Sequence, residues 1–265
     1  MISQVLEKVV FLGSASGQTK SLEPVSFLIV SSTVVLVETG PSIIRQLESA
    51  GLRPKDLSAV FVTHVHADHA LGFAYLAFNK HIDRIENGDA SASLPVYGIS
   101  DVLEGLKTST AIHYPPGSFP TYQVSYLNLD QEPEGELPRG FAYAALAVKH
   151  TVPNVALKIT TPGGKRVVYS SDTIYDPALV ELSASADLLI HEAMLPSSAE
   201  ELSRRLLHAT ISDAARAAQD AGARRLALVH MIPSLFNQER EVLAEVAASY
   251  QGSAVFAREG TTVEL

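Results

Sequence analysis

The chain has 265 residues, 46% of them apolar, with 20 Lys and Arg against 29 Asp and Glu for a formal charge of −9. Such a composition folds around a large core, and its acidity argues against a protein that grips long nucleic acid through a broad basic face. The absence of cysteine excludes disulfides and thiolate metal ligands, the N-terminal apolar run is too short for a signal peptide, and no stretch approaches the roughly 20 apolar residues that cross a bilayer.

The reading is therefore one cytoplasmic domain spanning residues 1–265. Short β-branched runs at 8–13, 25–30 and 33–38 read as successive strands, with a tight turn at "SSTV" between the last two. Pro41 opens a helix whose Ile43, Ile44 and Leu47 recur at helical spacing, and Gly51 stops it. A fully apolar strand follows at 58–63, then a buried helix at "ALGFAYLAFNK", a strand at 94–98 and a short helix from Ser100. Residues 113–140 are rich in breakers around a strand-like "TYQVSYLNL", which reads equally as a lid over a site or as a connection. Strand-like segments then end near His150, Thr160, Asp172 and Glu192, the middle pair separated by the turn "TPGGK". An amphipathic helix at 210–222 leads to a strand at 224–230, a helix at "QEREVLAEVAASY" and two closing strands. Two sets of strands, each with its own helices, imply two facing sheets with helices outside and polar strand outlets along one rim.

The densest outlet is "THVHADHA", residues 63–70. Side chains alternate along an extended segment, so His64 and His66 point the same way and can grip one cation. Asp68 and His69 follow as the chain turns into a helix, which swings them toward a second position. His81 and His113 read as ordinary surface or loop residues, and His191 as a buried neighbour of a site rather than a ligand.

"THVHADHA" resembles the His-x-His-x-Asp-His signature of the metallo-β-lactamase superfamily, and "VKHT", "YSSDT" and "LVHMIP" resemble its later elements in order. The resemblance implies an α/β fold of four layers, αββα, with two mixed sheets face to face. It also implies two divalent metal ions: His64, His66 and His150 on the first, Asp68, His69 and His230 on the second, Asp172 bridging. Imidazole and carboxylate donors suit zinc and also accept iron or manganese. Within the superfamily, "FLGSASG", "KHTVP", "DLLIHEAM" and "HATISDAARAAQDAG" are similar to the ribonuclease Z and phosphodiesterase branch. There the resemblance makes Asp68, His208 and Glu192 catalytic, with Glu192 orienting His208 and His208 protonating the leaving oxygen while a metal-bridging hydroxide attacks.

Departures from that branch bear on the substrate. Ribonuclease Z carries a long arm between the positions matching His150 and Asp172, where this chain has room only for a hairpin. The chain has "HMIPS" where the branch has Ser and Arg for phosphate contacts, and Glu38 in "ETGPSI" stands where the family places an aspartate behind the ligands. The expected substrate is a small anionic phosphodiester, of cyclic-nucleotide type, with no membrane partner; the resemblance also allows a homodimer. The alternatives are a ribonuclease Z-like RNA endonuclease, a lactone, thioester or sulfate-ester hydrolase using the same centre, and a non-catalytic binding protein.

Overall fold

The computed structural model describes residues 6–19, 21–87, 93–115 and 124–265. The first half forms β1 (Lys8–Gly13), β2 (Ser26–Val30), β3 (Val34–Val37), α1 (Ile43–Ser49), β4 (Leu57–Phe61), α2 (Ala67–Ala70), α3 (Phe73–Asn87), β5 (Leu94–Gly98), α4 (Ser100–His113) and β6 (Val124–Asn128). The second forms β7 (Glu134–Leu137), β8 (Phe141–Ala147), β9 (Val155–Thr160), β10 (Arg166–Tyr169), α5 (Pro177–Leu182), β11 (Leu188–Glu192), α6 (Glu200–Leu206), α7 (Ile211–Asp220), β12 (Arg225–Val229), α8 (Glu239–Ala247), β13 (Ser253–Phe256) and β14 (Thr262–Glu264).

Among the described residues these strands build two mixed sheets of seven, ordered β14-β1-β2-β3-β4-β5-β6 and β13-β12-β11-β10-β9-β8-β7. In the first sheet β14, β1, β2 and β3 pair antiparallel and β3 to β6 parallel. The second repeats the scheme, antiparallel from β7 to β10 and parallel from β10 to β13. This is the expected sandwich, and it follows from the side-chain period of two. In β12, Ala227 and Val229 face the core between the sheets, while Leu226 and Leu228 face the outer helices. Aromatic rings bridge the inner faces, with Phe27 edge-on to Tyr169 at 5.2 Å and Phe61 edge-on to Tyr143 at 5.7 Å.

The parallel halves matter for function because parallel strands send all their C-terminal ends to one rim. Residues 63–69 leave β4 there, Ser170–Thr173 leave β10, Ala193 follows β11 and His230 follows β12. The opposite rim is clipped by Glu7. Its buried carboxylate accepts from Ser31 Oγ at 2.9 Å, Gly163 N at 3.0 Å and Thr161 Oγ1 at 2.5 Å, joining the β2–β3 turn of one sheet to the β9–β10 hairpin of the other. Glu7→Ala is expected to cost about 1–3 kcal/mol, because it strands buried donors. Urea denaturation reads that loss, and an unchanged midpoint would show that the clip contributes nothing.

Several expectations need correction. The helix after the motif is two helices, α2 and α3, and only one side is buried: Phe73, Leu76 and Ala77 face the core while Leu71, Tyr75 and Ile85 are exposed. His81 lies on the inner side of α3 and is buried, not at the surface. The helix from Ser100 continues to His113, which is exposed at its end. Of the lid-or-connection segment, residues 116–123 lie outside the described residues, and the rest supplies edge strands β6 and β7. Among the described residues no helix is long and apolar enough to cross a membrane.

Candidate metal centre

The apolar strand β4 is followed by Thr63 and His64, both fully buried, and the chain then runs through His66 into α2. This places the His64 and His66 rings on one side, with His64 Nε2 3.2 Å from His66 Nδ1. His150 arrives from the loop between β8 and β9, with Nε2 also 3.2 Å from His66 Nδ1. Asp172, one turn past β10, presents Oδ2 3.7 Å from His64 Nε2 and 4.0 Å from His150 Nε2.

A second set adjoins the first. Asp68 Oδ2 lies 3.6 Å from His69 Nε2 and 3.3 Å from His230 Nε2. Asp172 Oδ2 again joins, 3.5 Å from His69 Nε2 and 3.1 Å from His230 Nε2. The seven residues named from the sequence thus converge, His64, His66, His150 and Asp172 in one group and Asp68, His69 and His230 in the other. His230 takes its place through a left-handed backbone, φ 56°, fixed by its amide donating to Ser14 O at 2.6 Å.

These residues fit divalent cations on three grounds. Donors about 2.0–2.2 Å from a tetrahedral zinc stand roughly 3.3–3.6 Å apart, close to the separations here. Buried His69 Nε2, which faces Asp68 and Asp172, has no hydrogen-bond partner among the described residues, an expensive state for a polar atom that is not a ligand. Burial also keeps the first three imidazoles neutral, as ligands must be: it pulls His66 down, His64 well down with help from the nearby His69, and His150 to about 4. Burial opposes a charge on His69 too, but Asp172 and Glu38 outweigh it and hold that ring protonated; a cation on Nε2 would replace the proton.

Glu38 stands behind this cluster. It is buried, with φ 68°, and Thr63 donates to its Oε1 at 2.6 Å. His69 Nδ1 comes within 3.3 Å of the same oxygen, without hydrogen-bond alignment. A carboxylate behind a ligating imidazole fixes its ring and raises its basicity. Glu38→Ala is therefore expected to weaken zinc binding by about 10–100-fold in chelator competition; wild-type affinity would detach Glu38 from the centre.

On the open side His208 Nδ1 is 2.9 Å from Glu192 Oε1. Glu192 is fully buried at the end of β11, and the Thr173 and Met194 amides donate to its oxygens at 2.8 and 3.2 Å. Burial works against the imidazolium, yet Glu192, by charge and hydrogen bond, holds His208 at about 9. His208 also groups with Asp172 and His230. Its position is set by Leu207, whose left-handed backbone, φ 57°, ends α6, and by Thr210, which caps α7 in a reciprocal pair with Asp213. His191 is buried outside the cluster, its Nδ1 2.6 Å from the Glu192 carbonyl. His113 belongs to none of the groups. Sequence reasoning misses Thr63, which touches both Glu38 and His64. Its place at the end of an apolar run, just before the first ligand, is the available signal.

Residues 33–231 match the model of the beta-lactamase superfamily domain. Ribonuclease Z of Myxococcus xanthus (strain DK1622) is 28% identical over 303 aligned residues, which cover 98% of each protein. The metallo-beta-lactamase fold protein YhfI from Bacillus subtilis superposes with a TM-score of 0.83 at 24% identity, over 98% of this chain and 99% of that one. The short form of human tRNase Z gives 0.74 at 19% identity, over 97% and 98%. At these identities the two structures speak for the fold alone.

Proposed function

The chain belongs to the beta-lactamase superfamily, and from that premise we propose that it is a dinuclear metallohydrolase of small phosphodiesters, with zinc as the metal. His64, His66 and His150 hold one cation, Asp68, His69 and His230 the other, and Asp172 serves both. When bound, such cations polarise phosphoryl oxygens and make water nucleophilic near neutral pH. The donor set brings only two formal negative charges, from Asp68 and Asp172, so the loaded centre attracts anions.

The observation that carries the reading is the His208–Glu192 pair, 2.9 Å apart beside the cluster. Glu192 accepts the Nδ1 proton, which leaves the other ring nitrogen of His208 to deliver a proton to the departing oxygen. Alkoxide leaving groups need that proton, and a positioned donor commonly contributes 10²–10⁴-fold. An activated lactone or aryl ester needs it far less. The turn between β9 and β10 spans only residues 161–165, leaving no arm to clamp a folded RNA, and the net charge of −9 repels one at long range.

A second reading, RNA endonuclease, is favoured by the ribonuclease Z relative at 28% identity. Side-by-side assays of the zinc-loaded protein on cyclic nucleotides, bis(p-nitrophenyl) phosphate and a precursor transfer RNA separate the two. Turnover of the small diesters with intact RNA supports the proposal, and site-specific RNA cleavage without turnover of small diesters replaces it.

A further inference from the structure

Three chain segments deliver the first-cation donors, and one buried side chain outside the donor set ties them together. Asn154 stands between the His150 loop and β9. Its carbonyl accepts from the Val148 amide at 3.0 Å, which closes the loop carrying His150. Its side chain crosses to the end of β10, where Nδ2 donates to the Asp172 carbonyl at 2.7 Å and Oδ1 accepts from the Ser171 hydroxyl at 2.8 Å. Both amide functions are used, so the orientation of the group is determined by its partners.

The contacts continue into the other sheet. The Ser171 hydroxyl proton is shared between Asn154 Oδ1 and Thr63 Oγ1, 2.7 Å away, and Thr63 Oγ1, whose own proton goes to Glu38, is 3.1 Å from His64 Nδ1. That contact turns His64 Nε2 toward His66 and Asp172. Ser171 itself is left-handed, φ 53°, a strained conformation for a residue with a β-carbon that persists only where the surroundings enforce it. The strained turn is what aims Asp172 at both donor groups. Asn154 holds the turn on each side, by the hydroxyl of Ser171 and the carbonyl of Asp172.

We propose that Asn154 is a positioning residue of the metal centre: through Ser171 and Thr63 it fixes His150, Asp172 and His64 relative to one another, so that donors from both sheets already converge when a cation arrives. The inference rests on the metal-centre reading above. Groups behind metal ligands typically change affinity by about 10–100-fold when removed, and a linked chain of contacts gives non-additive losses.

The test titrates chelator-stripped wild type, Asn154→Ala, Ser171→Ala and the double variant with Zn²⁺ against a chromophoric competitor, and records Co²⁺ absorption spectra of each. Asn154→Ala should lose about 10–100-fold in Zn²⁺ affinity with a shifted Co²⁺ spectrum, and Ser171→Ala should lose less, in the same direction. The double variant should be no worse than Asn154→Ala alone. Far-UV dichroism should stay native, and kcat should recover at saturating Zn²⁺. Wild-type affinity and an unshifted spectrum in Asn154→Ala, whatever its melting temperature, would overturn the inference. If that variant does not fold, Ser171→Ala decides by the same criterion. A wild type that takes up neither ion would instead defeat the metal-centre reading, and the inference with it.

Discussion

Asp172→Ala is expected to lower kcat/KM on bis(p-nitrophenyl) phosphate by at least about 10³-fold, and to reduce bound zinc from about two per chain to fewer than one. One oxygen of this side chain lies 3.1 to 4.0 Å from donors of both groups, on His230, His69, His64 and His150. Burial works to raise its pKa, but His230 and His69 outweigh it, and the carboxyl stays well below the ordinary range, ionised at any working pH. Removing it takes from each cation a charged donor and leaves the repulsion between the two cations uncompensated by the shared carboxylate. Cation catalysis supplies several kcal/mol of barrier lowering, and a thousandfold loss corresponds to about 4 kcal/mol. Metal analysis and steady-state kinetics read the two effects together. A variant with full metal content and near-native turnover would remove Asp172 from the centre.

His208→Ala is expected to leave metal content intact and to divide substrates by leaving group. Hydrolysis of a cyclic nucleotide, whose leaving alkoxide must be protonated, should fall by about 10²–10⁴-fold, and that of bis(p-nitrophenyl) phosphate by less than about tenfold. The sign of the pH dependence follows from the same pair. Glu192 raises His208 to about 9, so the proton is present at neutral pH and is lost as pH rises through that value. Wild-type activity on the cyclic nucleotide should therefore fall on the alkaline side, and the variant should lack that fall. Equal losses on both substrates would contradict the assignment of His208 as proton donor.

Much of the centre is legible in the sequence. The spacing of His64, His66, Asp68 and His69 at the end of an apolar strand needs only the alternation of extended chain and the turn into a helix, both local. The start of α7 is equally plain, because Thr210 and Asp213 cap each other within four residues. The features that sequence patterns do not reveal are non-local or marginal. The acidic stretch before Phe141 reads as loop, yet Glu134–Leu137 pairs with β8 as an edge strand because hydrogen bonds from a neighbour override weak propensity. α5 and α6 are six and seven residues long, too short to show a period. β14 pairs with β1, and no local signal says that the chain end returns to the first sheet. His81 reads as a surface residue because the apolar pattern ends at Lys80, whereas α3 continues to Asn87 and carries His81 into its buried side. Thr63, Asn154 and Ser171 are ordinary polar residues in sequence, and their contact exists only once two sheets face each other.

The proposed function stands on two cations held by side chains from both halves of the chain. Isothermal titration of chelator-stripped protein with Zn²⁺, followed by elemental analysis of the dialysed product, measures this directly. Two equivalents per chain are predicted for the wild type, with one lost in His66→Ala and one in His230→Ala. Wild-type protein that is folded and takes up no zinc would contradict it.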